Sequence, residues 1–160
     1  MRFRHEQSYD APADRVHEML ADPAFRNRVC VAQEATSCTV SIEPDGAGMS
    51  VAVDQRRPSD GIPGFARKIV GDEIRIVQRE DWSDQTKAVL TVTIPGKPGE
   101  LNGTVTVVGD GNRTVETIDG DLRVNIPVLG AKLEQLIAEL LGEALDVEQE
   151  IGRSWLAGER

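Results

Sequence analysis

Few residues in this sequence have the types and spacing that catalysis or metal binding requires. The chain has two histidines, His5 and His17, and two cysteines, Cys30 and Cys38. None of them lies at metal-ligand spacing within a cluster of histidines, cysteines and carboxylates, and no nucleophile elbow, phosphate-binding glycine loop or dinucleotide fingerprint is present. We therefore predict no metal and no cofactor. His5 is a candidate general base, and a partly buried, hydrogen-bonded histidine is the alternative.

A polar end on an otherwise apolar strand is the most informative pattern. Ile74, Ile76, Gln78, Glu80 and Trp82 alternate along the chain and therefore share one face of a β-strand. If the isoleucines face the interior, a carboxylate faces it too and must pair, take up a proton or meet water. Gln78 and Glu80 would then orient a ligand beside an apolar wall supplied by Trp82. In the alternative, Glu80 lies near the end of the sheet and is hydrogen-bonded to a loop or to an arginine.

A long amphipathic helix, predicted over residues 130–156, is the element that would complete such a site. Its apolar residues recur in steps of three and four and so share one face: Leu133, Leu136, Ile137, Leu140, Ala144, Val147, Ile151 and Trp155. Glu148 lies at the edge of this face. It is either a boundary residue that reaches solvent or a polar group at one end of a cavity.

The order of the other predicted elements indicates an α+β fold. A strand over residues 2–9 precedes short helices over 13–20 and 24–32, and about six strands follow before the long helix. Asp45-Gly46 is a hairpin turn signal, and strands joined by tight hairpins cannot form a parallel sheet. We therefore predict a curved antiparallel sheet of about seven strands, whose apolar face the long helix covers.

Two local predictions concern the ends and irregularities of these elements. Asp10 or Ala11 is expected to cap the first short helix, with Pro12 in its first turn. In the last strand Val115 is out of phase with the apolar residues that follow it, which predicts a β-bulge near residues 116–117.

The stretch 57–71 is the longest irregular segment, with room for one helical turn over 65–70. Its glycines would allow it to move as a lid, in which Ile62, Phe65 and Ile69 are the apolar candidates. The alternative is an ordered loop whose Phe65 and Ile69 cap the core.

Length and charge narrow the function classes. The chain has 160 residues and is expected to form one domain, 1–160. Its net charge of −9 disfavours binding to nucleic acid and to anionic lipid surfaces. The one loose basic cluster is interpreted as a solvated loop; it comprises Arg56, Arg57, Arg67 and Lys68.

Cysteine usage and hydropathy predict the compartment. Two cysteines are no disulfide framework, and we expect Cys30 and Cys38 to be reduced, mostly buried thiols. Neither a signal-peptide pattern nor an apolar run of membrane-spanning length is evident, so the predicted location is the cytoplasm, without stable membrane insertion.

Several short motifs carry a resemblance to a known family. They are Pro63 with Phe65-Ala66-Arg67-Lys68-Ile69-Val70-Gly71, then Glu80-Asp81-Trp82, then Val124-Asn125-Ile126-Pro127-Val128-Leu129-Gly130-Ala131-Lys132-Leu133-Glu134, and finally Glu148 with Trp155-Leu156. With this order of elements, the chain resembles the START-like (SRPBCC) superfamily, and within it the actinobacterial DUF2505 group. The resemblance implies the helix-grip fold of lipid-transfer domains, Bet v 1-type allergens and polyketide cyclases, with an apolar cavity between sheet and helix.

The leading hypothesis is therefore that a hydrophobic or amphipathic small molecule, such as a lipid or a polyketide, binds in that cavity. The expected cavity residues are Ile74, Ile76, Gln78, Glu80, Trp82, Leu90, Val92, Leu122, Leu133, Ile137, Leu140, Ala144 and Glu148. The alternative is a cyclase- or aromatase-like enzyme in which Glu80, Gln78 and His5 move protons. A third interpretation is a filled core with a structural role, which a void under roughly 100 Å³ would support. We expect a monomer or a weak homodimer.

Overall fold

Seven strands and four helices make up the protein, and the computed structural model describes residues 1–160. In chain order they are β1 (Arg2–Tyr9), α1 (Ala13–Leu20), α2 (Pro23–Ala32), β2 (Ser37–Asp45), β3 (Gly48–Pro58), α3 (Gly64–Val70), β4 (Glu73–Trp82), β5 (Lys87–Thr93), β6 (Gly99–Asp110), β7 (Arg113–Val124) and α4 (Gly130–Leu156). None of the helices has the length and hydropathy of a membrane-spanning segment.

All seven strands form one antiparallel sheet in the order β1-β7-β6-β5-β4-β3-β2. Consecutive strands from β2 to β7 are neighbours, as hairpin connections require, and β1 closes the sheet by pairing with β7. One face of this curved sheet is covered by α4, and α1 and α2 lie between the first two strands in sequence. The predicted helix-grip architecture is therefore confirmed.

Helix α4 begins and ends at the predicted residues, but it does not lie evenly over the sheet. Its backbone approaches β1, β7 and helix α2 most closely. Gly152 allows this approach, since a Cβ there would lie 2.6 Å from Cε1 of Tyr9 on β1. Leu145 and Trp155 are buried in this region, whereas Leu140 remains 36% exposed. The N-terminal half of the helix consequently stands away from the middle strands and leaves space beneath it.

The register of β7 corrects the predicted bulge. Its pairing with β6 runs without interruption, with Val107 opposite Glu116 and Val108 opposite Val115. The strand therefore alternates normally, so Val115 faces outward and Glu116 faces the interior, where it is only 4% exposed. The bulge was inferred because an inward valine was assumed, and a buried glutamate is the rarer choice at such a position.

The predicted cap of α1 is also wrong. Pro12 itself occupies the N-cap position, and no side chain of the preceding residues caps the helix. Helix α2 is capped as its sequence favours, because the Asp22 carboxylate accepts a hydrogen bond of 2.9 Å from the Ala24 amide.

The cysteines are joined rather than reduced, which corrects another prediction. Cys30 on α2 and Cys38 on β2 form a disulfide with their Cα atoms 6.4 Å apart. Packing of α2 against the edge strand brings the two residues within bridging distance. The disulfide therefore fastens α2 to the β2 edge of the sheet.

Candidate functional site

A cavity of about 170 Å³ lies between the sheet and the N-terminal half of α4. Of its 31 lining residues, 21 are hydrophobic. The lining residues come from α2, α3, α4, strands β3 to β7 and the loops next to these elements. Its volume exceeds the limit that would support a filled core, and it is smaller than the usual site for a drug-sized ligand. The cavity exists because α4 approaches β1 and β7 and stands off from the middle of the sheet.

Most of the predicted cavity residues lie on this wall. They are Ile74, Ile76, Gln78, Val92, Leu133, Ile137, Leu140, Ala144 and Glu148, together with Ile62 and Ile69 of the predicted lid segment. Whether these side chains contact a ligand remains a prediction.

Four predicted residues do not line the cavity, because they are buried in the solid core beyond its closed end. Glu80, Trp82, Leu90 and Leu122 are all between 1% and 3% exposed. The strands that carry them pass from the cavity into the region where α1, α2 and the C-terminal half of α4 pack against the sheet, and side chains fill the space there. Strand periodicity identified the correct face but not the point along it at which the cavity ends.

Phe65 is also absent from the cavity wall. It packs with Ala66, Val124 and Leu133 in a small second core, and the ammonium group of Lys132 lies 4.1 Å from the centre of its ring. This arrangement agrees with the ordered-loop alternative for Phe65, whereas Ile62 and Ile69 of the same segment face the cavity.

The Glu80 carboxylate is held by a buried ion pair. Both terminal nitrogens of Arg26 on α2 donate to it, at 2.8 and 2.9 Å, and Trp82 Nε1 donates at 2.8 Å. Gln78 Nε2 also donates a hydrogen bond to the Glu80 carboxylate. Burial alone would raise the pKa of Glu80, but the arginine and the hydrogen bonds outweigh it and hold the pKa below its usual range. Glu80 is therefore a charged structural residue, as the arginine-bonded alternative described.

A second group of buried polar residues adjoins this pair at the closed end of the cavity. Gln7 on β1 lies opposite Glu116 on β7, and its Nε2 donates a hydrogen bond of 3.1 Å to the carbonyl of Leu145. The Tyr9 hydroxyl, Gln7 Oε1 and Glu116 Oε2 are all buried without a hydrogen-bond partner. We call Gln7, Tyr9, Glu116 and Glu148 the acid cluster; Glu148 is its member on the cavity wall.

The acid cluster and the adjoining Arg26–Glu80 pair together contain three carboxyl groups and one arginine, which raises the pKa of two of the carboxyls. Burial, with repulsion from Glu148 and Glu80, raises the pKa of Glu116 well above its ordinary value. Burial and Glu80 likewise raise the pKa of Glu148 to about 7, although Arg26 opposes this. The guanidinium of Arg26 is already paired with Glu80, so it cannot compensate all three carboxylates. A neutral carboxylic acid at the cavity wall can both donate and accept a hydrogen bond.

His5 lies apart from this site. Its Nε2 is 3.2 Å from a carboxylate oxygen of Asp146 on the outer flank of α4, and it does not line the cavity. The position corresponds to the partly buried alternative rather than to a general base acting on a cavity ligand.

The cavity contains one polar group that sequence reasoning placed elsewhere. Arg57 lines it instead of lying in a solvated loop, because β3 continues to Pro58 and keeps its alternation. Gln55 lies opposite Ile76 and Arg57 opposite Ile74, so both face inward. The signal was available, since residues 49, 51, 53, 55 and 57 are in phase, but the polar side chains suggested that the strand had ended.

Comparison with known proteins identifies the family to which this chain belongs. A family described as "Protein of unknown function (DUF2505)" matches residues 4–156. The chain belongs to the DUF2505 family. Among relatives of this DUF2505 chain, the uncharacterized protein Rv0481c of Mycobacterium tuberculosis is 25% identical over 118 residues, which cover 70% of this chain and 68% of the relative.

Solved structures share the fold of the DUF2505 chain. The protein TTHA0849 from Thermus thermophilus superimposes with a TM-score of 0.67 at 20% identity, covering 100% of both chains. A START superfamily protein from Mycobacterium smegmatis superimposes with a TM-score of 0.62 at 16% identity, covering 97% of this chain and 98% of the other. The chain therefore has a START-like fold, and at these identities the likeness extends to the fold alone.

Proposed function

We propose that this protein binds a hydrophobic or amphipathic small molecule in the cavity between the sheet and α4. The observation that carries the proposal is the cavity itself, about 170 Å³ and lined mainly by aliphatic side chains. A void of this kind lacks the dispersion contacts of a packed core, and an apolar ligand would restore them. Binding requires no reaction, so the protein would act by holding and releasing its ligand.

Polar groups at the edges of the cavity support a ligand that is amphipathic rather than purely apolar. Arg57, Gln78 and Glu148 are among eight polar or charged residues on a wall that is mainly aliphatic; the others are Arg26, Gln33, Gln55, Lys97 and Glu100. A few convergent polar groups on an apolar wall are what small-molecule sites use to orient a ligand. The members that lie within the solid core, Glu80 and Trp82, would hold Arg26 and the wall in place without touching the ligand.

Native mass spectrometry of freshly purified protein tests the proposal, followed by uptake from a panel of fatty acids, fatty alcohols and poly-ketones. The informative variant is Ala144→Phe, because Ala144 lines the cavity and a phenyl group there would occupy it. Its matched control is Ala131→Phe, at an exposed position of the same helix. We expect Ala131→Phe to bind like the wild type and Ala144→Phe to lose binding. Ligand-free wild-type protein that takes up no member of the panel would count against the proposal.

A second candidate function is a proton-transfer reaction of the cyclase or aromatase kind, and the acid cluster is the observation that favours it. Glu148 reaches the cavity with a pKa near the working pH, which suits a general acid or base. Glu148→Gln separates the two candidates. Loss of measurable cyclisation of a poly-ketone at unchanged affinity would support the enzyme, whereas binding without turnover in either protein would support the binding module.

A further inference from the structure

Arg57 is a cation on the cavity wall whose protein partners are all neutral. Its Nε donates a hydrogen bond of 2.9 Å to Gln55 Oε1, and its Nη2 donates one of 2.7 Å to Gln33 Oε1. No carboxylate lies within ion-pair distance of it, and Nη1 donates no hydrogen bond within the protein. Arg57 is half-buried, and withdrawing a guanidinium even partly from water without a counter-ion is unfavourable unless an anion joins it.

Arg26 is the other arginine on the cavity wall, and unlike Arg57 it has a carboxylate partner. Arg26 is matched by Glu80 inside the core. Arg56, the neighbour of Arg57 on the outer face of β3, reaches Glu73 at 3.4 Å. On that same outer face, Arg75 is paired with Asp54 at 2.7 Å. Arg57 alone among these has glutamines where the others have a carboxylate.

The surroundings of Arg57 are built to hold it in position. Gln33 at the end of α2 is itself fastened, because its Nε2 donates a hydrogen bond of 2.8 Å to the carbonyl of Ala144 on α4. Gln55 is 6% exposed and lies beside Gln33. Both glutamines present their carbonyl oxygens to the guanidinium, which fixes its plane while leaving its charge uncompensated. Burial lowers the pKa of Arg57, with no acidic group acting to raise it.

The polarity of the cavity gives the direction in which an amphipathic ligand would lie. Glu148 and Glu116 lie together beside Glu80, and the raised pKa values of the first two reflect how strongly this region disfavours a further negative charge. The positive charge of Arg26 in this region is already paired with the Glu80 carboxylate. Arg57 is therefore a part of the wall that attracts an anion, as is Lys97, and the aliphatic residues that make up most of the wall suit a hydrocarbon chain.

We propose that Arg57 binds the carboxylate of an elongated amphipathic acid whose hydrocarbon chain fills the cavity. The inference rests on the proposed function and names its ligand class. A carboxylate matches a guanidinium in shape and can accept two hydrogen bonds from it, which favours an acid over an alcohol of the same length. The glutamines would remain in place and position the arginine.

Calorimetric titration with decanoate and with decanol tests this site. A charge-assisted hydrogen bond should make decanoate bind at least about tenfold more tightly than decanol to the wild type. Arg57→Gln should remove that preference by weakening decanoate about tenfold or more, while decanol binds within about twofold of the wild type. Unchanged decanol binding also shows that the variant is folded. Arg56→Gln, which alters the adjacent outward arginine, should leave both affinities unchanged.

The possible failures are distinguishable. If neither probe binds the wild type, the proposed function fails and the inference falls with it. If decanol binds as tightly as decanoate, or if Arg57→Gln weakens both equally, the cavity binds ligands but Arg57 is not an anion site. If acetate binds as tightly as decanoate and competes with it, Arg57 binds a small free anion. The proposal that the ligand is an amphipathic acid would then be wrong.

Discussion

Replacing Glu148 by glutamine should stabilise the protein above neutral pH and have little effect in mild acid. Glu148 belongs to a cluster with three carboxylates around one arginine, and that arginine is paired with Glu80. Burial and repulsion raise the pKa of Glu148 from an ordinary value of 4.5 to about 7. Glutamine has nearly the same shape, carries no charge and can keep a hydrogen bond to Gln7.

The direction in which the stability changes with pH follows from the number of protons that the folded and unfolded states bind. In the unfolded chain Glu148 loses its proton near pH 4.5, whereas in the folded protein it keeps the proton until about pH 7. The folded state therefore binds more protons at Glu148 over this interval, so the contribution of Glu148 to the free energy of unfolding is largest below pH 4.5 and is lost as the pH rises through 7. At about 1.4 kcal/mol per pH unit the interval corresponds to about 3 kcal/mol. Because Glu148 is only partly buried on the cavity wall and solvent screens its charge, we expect about 2 kcal/mol.

Urea unfolding at about pH 5 and about pH 8.5 measures this difference. The wild type should lose at least about 2 kcal/mol between the two conditions, since Glu116 adds to the loss, and Glu148→Gln should lose about 2 kcal/mol less than the wild type. Glu148→Gln also removes a repulsion that raises the pKa of Glu116. The loss of the Glu148 charge and the lower pKa of Glu116 both reduce the fall in stability at high pH. Glu150→Gln, at an exposed position of the same helix, is the matched control and should follow the wild type. A wild type whose stability does not fall over this range, or a variant that falls equally, would refute the reasoning.

Two further predictions concern packing and the disulfide. Gly152→Ala should destabilise by about 1–3 kcal/mol, because the new methyl would meet the Tyr9 ring at 2.6 Å. Gly142→Ala, with nothing within 4 Å of its Cβ, should instead stabilise α4 by about 1 kcal/mol; equal effects of the two changes in urea unfolding would contradict the close approach. Reducing the Cys30–Cys38 disulfide should cost about 2–3 kcal/mol, since it closes a loop with a sequence separation of 8. Calorimetry should show a Tm lower by about 5–10 °C in reductant, and no such fall in a Cys30→Ala, Cys38→Ala double variant.

The elements of the fold were predictable because they depend on local periodicity. The spacing of apolar residues in steps of three and four gave α4 its bounds, and alternation identified β1 and β4. Where the pattern was misinterpreted, a polar residue occupied an inward position. The sequence pattern predicts a bulge near Glu116 and an irregular segment that begins at Arg57. In each case an expectation of apolar interior residues outweighed a regular alternation.

The site depended on contacts between residues far apart in the chain. Alternation along β4 placed Glu80 on the inner face, but its partner Arg26 is 54 residues away on α2. Nothing in local spacing indicates that pairing, or that Cys30 reaches Cys38. The extent of the cavity was equally inaccessible, because it depends on how α4 tilts against the sheet around Gly152 and Tyr9.

The sequence by itself thus determined the kinds of elements, their order and the faces that they bury, since these follow from hydrophobic periodicity within each segment. Only the tertiary structure decided which inward polar groups are paired and which are not. In the folded protein Arg26 pairs with Glu80, and Arg57 has only neutral partners. Glu116 and Glu148 lie near Arg26, whose charge is already paired with that of Glu80. The physical reason is that an ion pair depends on the distance between two charges in space. The spacing of residues along the chain does not indicate which distant residues folding brings together.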